Sequence, residues 1–126
     1  MNMSQIKEAE IENRKEALRV MEKVMLINKK LNNAELIYEG AILVWNIALP
    51  FLSPYYHQYA ERAMELSLSL IEQIDSNDHE LRTKFHLQLI SIYFGNELKF
   101  SEVESNVFKA LRLDPSLPVG KLQNKP

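Results

Sequence analysis

A chain of 126 residues with 46% hydrophobic residues, 25% charged residues and a net charge of −2 is the composition of one ordinary globular domain, without the basic excess of a non-specific nucleic-acid binder. Zero Cys excludes a disulfide framework, a thiolate metal site and a Cys nucleophile. With 3 Gly and 5 Pro, and β-branched residues scattered among Leu, Glu, Lys and Met, the chain predicts a few long helices and no sheet.

The N-terminal segment MNMSQIKEAEIENRKE carries charges where a secretory signal needs its apolar core. A first helix is predicted from about Ser4 to Leu31, with Ser4 as its cap and Glu8, Glu10 and Glu12 in the early turns, where the helix dipole favours negative charge. Its predicted core stripe is Ala17, Val20, Val24, Ile27 and Leu31, widened by Leu18, Met21 and Met25. Arg14, Lys15, Arg19 and Lys23 are interleaved with Glu10, Glu12, Glu16 and Glu22, the pattern of a solvated face laced with ion pairs rather than a nucleic-acid patch. Asn32-Asn33 ends this helix.

A second helix, about Ala34 to Leu49, is apolar nearly all round and is therefore expected to be central and buried on most sides. Gly40 inside it points to a close helix crossing, and Pro50 stops it. The most apolar run, Ala41 to Leu52, is short for a bilayer span and is broken by Pro50, so the expectation is a soluble, cytoplasmic protein with no membrane contact. Ser53-Pro54 predicts the cap and first position of a third helix running to about Ile74. Its expected core residues are Tyr56, Tyr59, Ala60, Ala63, Met64, Ser67, Leu70, Ile71 and Ile74. One of Ser76, Asn77 and Asp78 caps a fourth helix that ends near Gly95, and Ser101 with Glu104 forms a capping box for a fifth.

The stretch LQLISIYFGNELKFSEVESNVFKALRLDP, Leu87 to Pro115, reads as two antiparallel helices closed by Ala-Leu-x-Leu-Asp-Pro. Leu87, Ile90, Ser91 and Phe94 form one stripe, Val103, Val107 and Ala110 the facing one, and Pro115 is the stop. That segment resembles a tetratricopeptide (TPR) repeat. The predicted fold is therefore all-α, a short α-solenoid of about five antiparallel helices across 1–115 with a tail over 116–126. Within it lie a leading helix at about 4–31, a degenerate repeat at about 34–75, longer than a standard TPR, and the best repeat at about 79–115.

Nothing in the sequence points to catalysis, a metal or a cofactor. His79 and His86 share a predicted helix face but stand two turns apart, and His79-Glu80 lacks the second His of a zinc-binding HExxH helix. The glycines at 40, 95 and 120 stand alone, which excludes a phosphate loop, and no Ser sits in a nucleophile elbow. The candidate protein-interface residues are Trp45, Tyr55, Tyr56, Phe108 and Leu111: aromatic anchors, together with the face of a last helix that no further repeat covers. Trp45 reads first as core and second as a peptide anchor, whereas Tyr59 reads as core.

A narrower resemblance lies in GAILVWNIALPFLSP, SNDHELRTKFHLQLISIYF and KALRLDPSLP, through Trp45-Asn46, Leu49-Pro50, His79, Leu81-Arg82 and Leu111 to Pro115. Together these look like the large TPR-containing cilia- and flagella-associated proteins of the axonemal central apparatus. The resemblance implies a structural, non-catalytic scaffold in the cilium or flagellum, with neighbouring axonemal or helical-repeat subunits as partners. The alternative is a cytosolic adaptor or co-chaperone-like module that captures a peptide segment; it calls for a concave, partly polar groove, where the scaffold calls for exposed apolar faces.

Overall fold

The computed structural model describes residues 3–53, 56–94 and 100–114. Among these are five α-helices and no strand: α1 (Met3–Leu31), α2 (Ala34–Ala48), α3 (Glu61–Gln73), α4 (His79–Tyr93) and α5 (Phe100–Leu113). The fold is all-α, with α1, α2 and α3 packed against one another and α5 packed against α4. The chain divides into two compact units, Met1–Asp75 and Ser76–Pro126.

In the first unit α1 and α2 form an antiparallel hairpin, and α3 packs against both. The two asparagines at the turn divide the work. Asn32 takes a left-handed conformation (φ 50°), which Asn tolerates better than most residues, and Asn33 caps α2 by accepting from the Leu36 amide at 3.1 Å. Asn28, buried one turn earlier, donates from Nδ2 to the Leu36 carbonyl at 3.1 Å and ties the helices across the turn. At the other end of the hairpin, Arg14 Nη1 donates to the carbonyls of Asn46 (3.2 Å) and Ile47 (3.1 Å). Those carbonyls belong to the last turn of α2, where a helix leaves acceptors unsatisfied and a cation is favoured. Glu10 Oε1 accepts from Arg14 Nε at 3.3 Å and steadies the guanidinium.

Between these ties the helices close on Gly40. A methyl group there would overlap Met25 Sδ and touch Asn28 Nδ2, so the predicted close crossing is present and Met25 is the residue it admits. This contact sets the rotation of α1. The buried face is Leu18, Met21, Met25 and Asn28, while Val20, Ile27 and Leu31, expected in the core, are exposed. The two stripes run side by side, and the one that meets Gly40 goes inside. Burial of α2 is likewise one-sided, through Ile37, Gly40, Ala41, Val44 and Ala48; Leu36, Leu43 and Leu49 are exposed, contrary to the expectation of a helix buried on most sides.

Pro50 ends α2 as expected, and Leu49–Phe51 form a single 3-10 turn that buries Phe51 completely. The third helix starts later than Ser53-Pro54 predicts. The Ser53 carbonyl accepts from the amides of Tyr56 and His57, both at 3.1 Å, a second 3-10 turn covers His57–Tyr59, and the α-helical pattern is established only from Glu61. Tyr56 and Tyr59 consequently lie outside the helix and are exposed. Ala60, Ala63, Met64, Ser67, Leu70 and Ile71 are buried as expected, and Leu68 joins them.

In the second unit Asp78 caps α4, accepting from the Leu81 amide at 3.0 Å, and Arg82 Nη1 donates to the Ser76 carbonyl at 2.9 Å. α5 packs antiparallel to α4, and His86 Nδ1 bonds to Asn106 Oδ1 midway along the pair. The buried set on α4 includes Phe85, His86, Leu89, Ile90 and Tyr93, while Ser91 and Phe94 are exposed, so the predicted stripe is rotated. α4 carries apolar residues on most of its circumference, and periodicity alone does not fix its phase. On α5, Val107 and Ala110 are buried as expected; the side chain of Val103 and those of the proposed Ser101–Glu104 capping box lie outside the described set, although Ser101 itself falls inside the helix. At the first helix the start at Met3 likewise places Ser4 within it rather than before it.

Gly40→Ala separates the crossing from helix propensity. In an exposed helix the change would stabilise by about 1 kcal/mol. Here it overpacks against the fully buried Met25, a cost of about 1–3 kcal/mol, so the expected outcome is a lower denaturation midpoint. A higher midpoint in urea would contradict the close crossing.

Candidate protein-interaction surfaces

Among the described residues, several exposed apolar side chains lie on the α1–α2 hairpin. Val20 is 47% exposed, Ile27 55% and Leu31 62%; on α2, Leu43 is 48% exposed and Leu36 lies one face-repeat away. Two contacts place α3 on the opposite side of α1: Arg62 Nε to Glu22 Oε1 at 3.4 Å, and Lys15 Nζ 4.0 Å from the centroid of the Tyr59 ring. The exposed strip thus occupies the open side of the hairpin, running along the groove where α1 meets α2. It is the by-product of the rotation that buries Met25.

A second feature is aromatic. The buried Phe51 ring stands 6.3 Å from Tyr56 and 6.2 Å from Tyr59, tilted and edge-on respectively, geometries that aromatic pairs favour. Tyr59, expected in the core, is 41% exposed, because the turn that carries it precedes α3. Lys15 lies over its ring and donates to Glu12 Oε1 at 2.9 Å. The bond to Glu12 is the main cause of a Lys15 pKa held above its ordinary value, helped by the charge of Glu12 and the tyrosine and opposed by burial.

Of the interface candidates read from the sequence, Tyr56 is exposed in this cluster, and Trp45 is half-buried on α2 with partners of its own. Phe108 is 55% exposed on α5 and Leu111 is half-buried near it. Tyr55 lies outside the described residues. These residues are divided between the two units: Trp45 and Tyr56 belong to the first, Phe108 and Leu111 to the second. His79 and His86, expected on a shared face, differ in environment, His79 being exposed at the start of α4 and His86 buried against Asn106. A hollow of about 270 Å³ between the start of α4 and the end of α5 is lined by His79, Glu80, Thr83, Lys84, Leu113 and Asp114. Among the described residues no three His, Asp or Glu side chains are grouped to hold a metal ion.

Sequence reasoning missed Phe51 as a core residue and Arg14 as the cap of α2. Phe51 had a signal in its place directly after a helix-stopping Pro at the end of an apolar run. Arg14 had none, because its i,i+4 partner Glu10 accounts for it locally. The ion-paired face of α1 is otherwise present in Glu12–Lys15 and Glu16–Arg19. The apolar run is also longer than expected. Ala34–Phe51 has the length and hydropathy of a membrane-crossing helix, a property shared by core helices of soluble proteins; here the Ile37, Ala41, Val44 and Ala48 face packs in the core of the first unit.

No family model matches this chain, and no solved structure matches it. The class stands on the helical hairpins themselves.

Phe51 holds the aromatic cluster in place. Phe51→Ala is expected to cost about 3–5 kcal/mol, a large share of a typical domain's stability, and to reduce the near-ultraviolet circular dichroism of the tyrosines. A loss below 1 kcal/mol would mean that the turn is held by its backbone alone.

Proposed function

We propose that this protein is a non-catalytic helical scaffold that binds other proteins through exposed apolar helix faces. The observation that carries the proposal is the strip formed by Val20, Ile27, Leu31, Leu36 and Leu43. Singly exposed apolar residues are ordinary, whereas a continuous row of them along two packed helices is the signature of a surface that another protein covers. The exposed Phe108 on α5 supports the same reading, as an aromatic side chain of the kind enriched in interface cores. The small hollow beside His79 is less suited to a peptide segment than the hairpin face is to a helix, which favours the scaffold over the peptide-capturing adaptor.

The TPR character of the two helical segments, and a place in the axonemal central apparatus, remain part of this proposal. The first rests on the sequence resemblance over Leu87 to Pro115, the second on the narrower resemblance through Trp45-Asn46, Leu49-Pro50, His79, Leu81-Arg82 and Leu111 to Pro115. A tagged chain expressed in a ciliated cell and kept in the axoneme through salt extraction would agree with that placement; a diffuse signal would remove it.

The binding function itself is tested by a photo-cross-linking amino acid placed at Ile27, at Phe108 and, as a control, at the exposed Glu80, in cells that naturally express the protein. Discrete protein adducts at Ile27 or Phe108, absent at Glu80, are expected. Equal labelling at all three positions would overturn the proposal.

A further inference from the structure

We infer that the exposed α1–α2 face pairs with a second copy of this chain, forming a four-helix arrangement around a two-fold axis parallel to the helices. The inference rests on the scaffold reading above and names the occupant of its principal surface.

The argument is one of charge and register. The outer flank of the strip on α1 carries Lys23 and Lys30, on the side of the helix turned away from α2 by helical phase. Its other flank, on α2, carries Glu35 and Glu39. All four are exposed, and none forms an ion pair among the described residues. One edge of the face is therefore basic and the other acidic; Lys30 and Glu35 also suit the dipoles of the helix ends they occupy, whereas Lys23 and Glu39 stand away from those ends.

A two-fold axis along the hairpin lays α1 of one copy over α2 of the other, antiparallel, and places each basic edge against an acidic one. The heights agree. At a rise of about 1.5 Å per residue, Lys30 and Glu35 lie within about 4 Å of the Asn32–Asn33 turn, and Lys23 and Glu39 lie about 10–14 Å from it. Lys30 thus meets Glu35 at the same level and Lys23 meets Glu39 within about one helical turn, twice per dimer.

The apolar residues follow the same spacing. Measured from the turn, the exposed residues of the strip come in the order Leu31, Leu36, Ile27, Leu43, Val20, so that side chains of α1 and α2 alternate along the axis, with the half-buried Val24 of α1 between Ile27 and Leu43. A row that alternates between the two helices interdigitates with its own symmetry copy. The alternative axis, perpendicular to the helices, would lay α1 on α1 and face Lys23 and Lys30 with like charge.

The test is sedimentation equilibrium of the full chain and of two charge-reversed variants, Glu35→Lys/Glu39→Lys and Lys23→Glu/Lys30→Glu. Wild type is expected to dimerise. Each variant alone should dimerise at least about tenfold more weakly, since every edge then faces its own sign, and an equimolar mixture of the two should recover a heterodimer. Ile27→Lys should weaken the dimer in either background, with unchanged helical circular dichroism showing that the fold is kept. A wild type that stays monomeric at sub-millimolar concentration would overturn the inference, as would a dimer indifferent to all of these changes. If the wild type is monomeric while cross-linking at Ile27 traps a different protein, the second copy is excluded and the scaffold reading stands. If neither finds a partner and Phe108 traps none, both fall.

Discussion

The contact of Gly40 with Met25 is the constraint on which the first unit depends. α2 has no side chain at that point, and the sulfur of α1 fills the space. The turn asparagines and the Arg14 cap hold the two ends of the hairpin, but they do not choose which stripe of α1 faces inward. The Met25 contact does, because of two neighbouring apolar stripes only the one carrying Met25 lies over the glycine.

That choice has a consequence at the surface. Turning Leu18, Met21 and Met25 inward leaves Val20, Ile27 and Leu31 on the open side of the hairpin, beside Leu36 and Leu43. The same helix thus supplies a core face and a second, exposed apolar face. A residue such as Ile27, more than half exposed, contributes little to folding where it stands. Repeat-like helical proteins use helices in this double manner, since a single hairpin cannot bury all its apolar surface alone.

Much of the fold was legible in the sequence for definite reasons. Asn32-Asn33, Pro50 and Asp78 are strong local signals, and each boundary they imply is present within a residue or two. Gly40 was legible as a close approach because it interrupts an otherwise good helix. The misjudged helix faces have a common cause: periodicity identifies a helix but fixes its rotation only when the apolar stripe is narrow. α1 and α4 each carry a broad or doubled stripe, and their buried faces were misjudged by about one residue. Ser53-Pro54 misled for another reason, since the cap-and-proline pattern also suits a 3-10 turn, and no local feature shows that the α-helix waits until Glu61. Of the candidate interface, the exposure of Phe108 was anticipated from its position on α5, whereas the α1–α2 strip was hidden among residues assigned to the core.

The most direct measurement is to make the strip polar without disturbing the fold. Ile27→Glu together with Leu43→Glu changes two half-exposed positions, so the isolated protein should keep its helical content and lose no more than about 1 kcal/mol of stability. In native extracts resolved by size, wild-type protein should elute in a larger species and the double variant should not. A double variant that stays in the same large species would contradict the claim that this face carries the association.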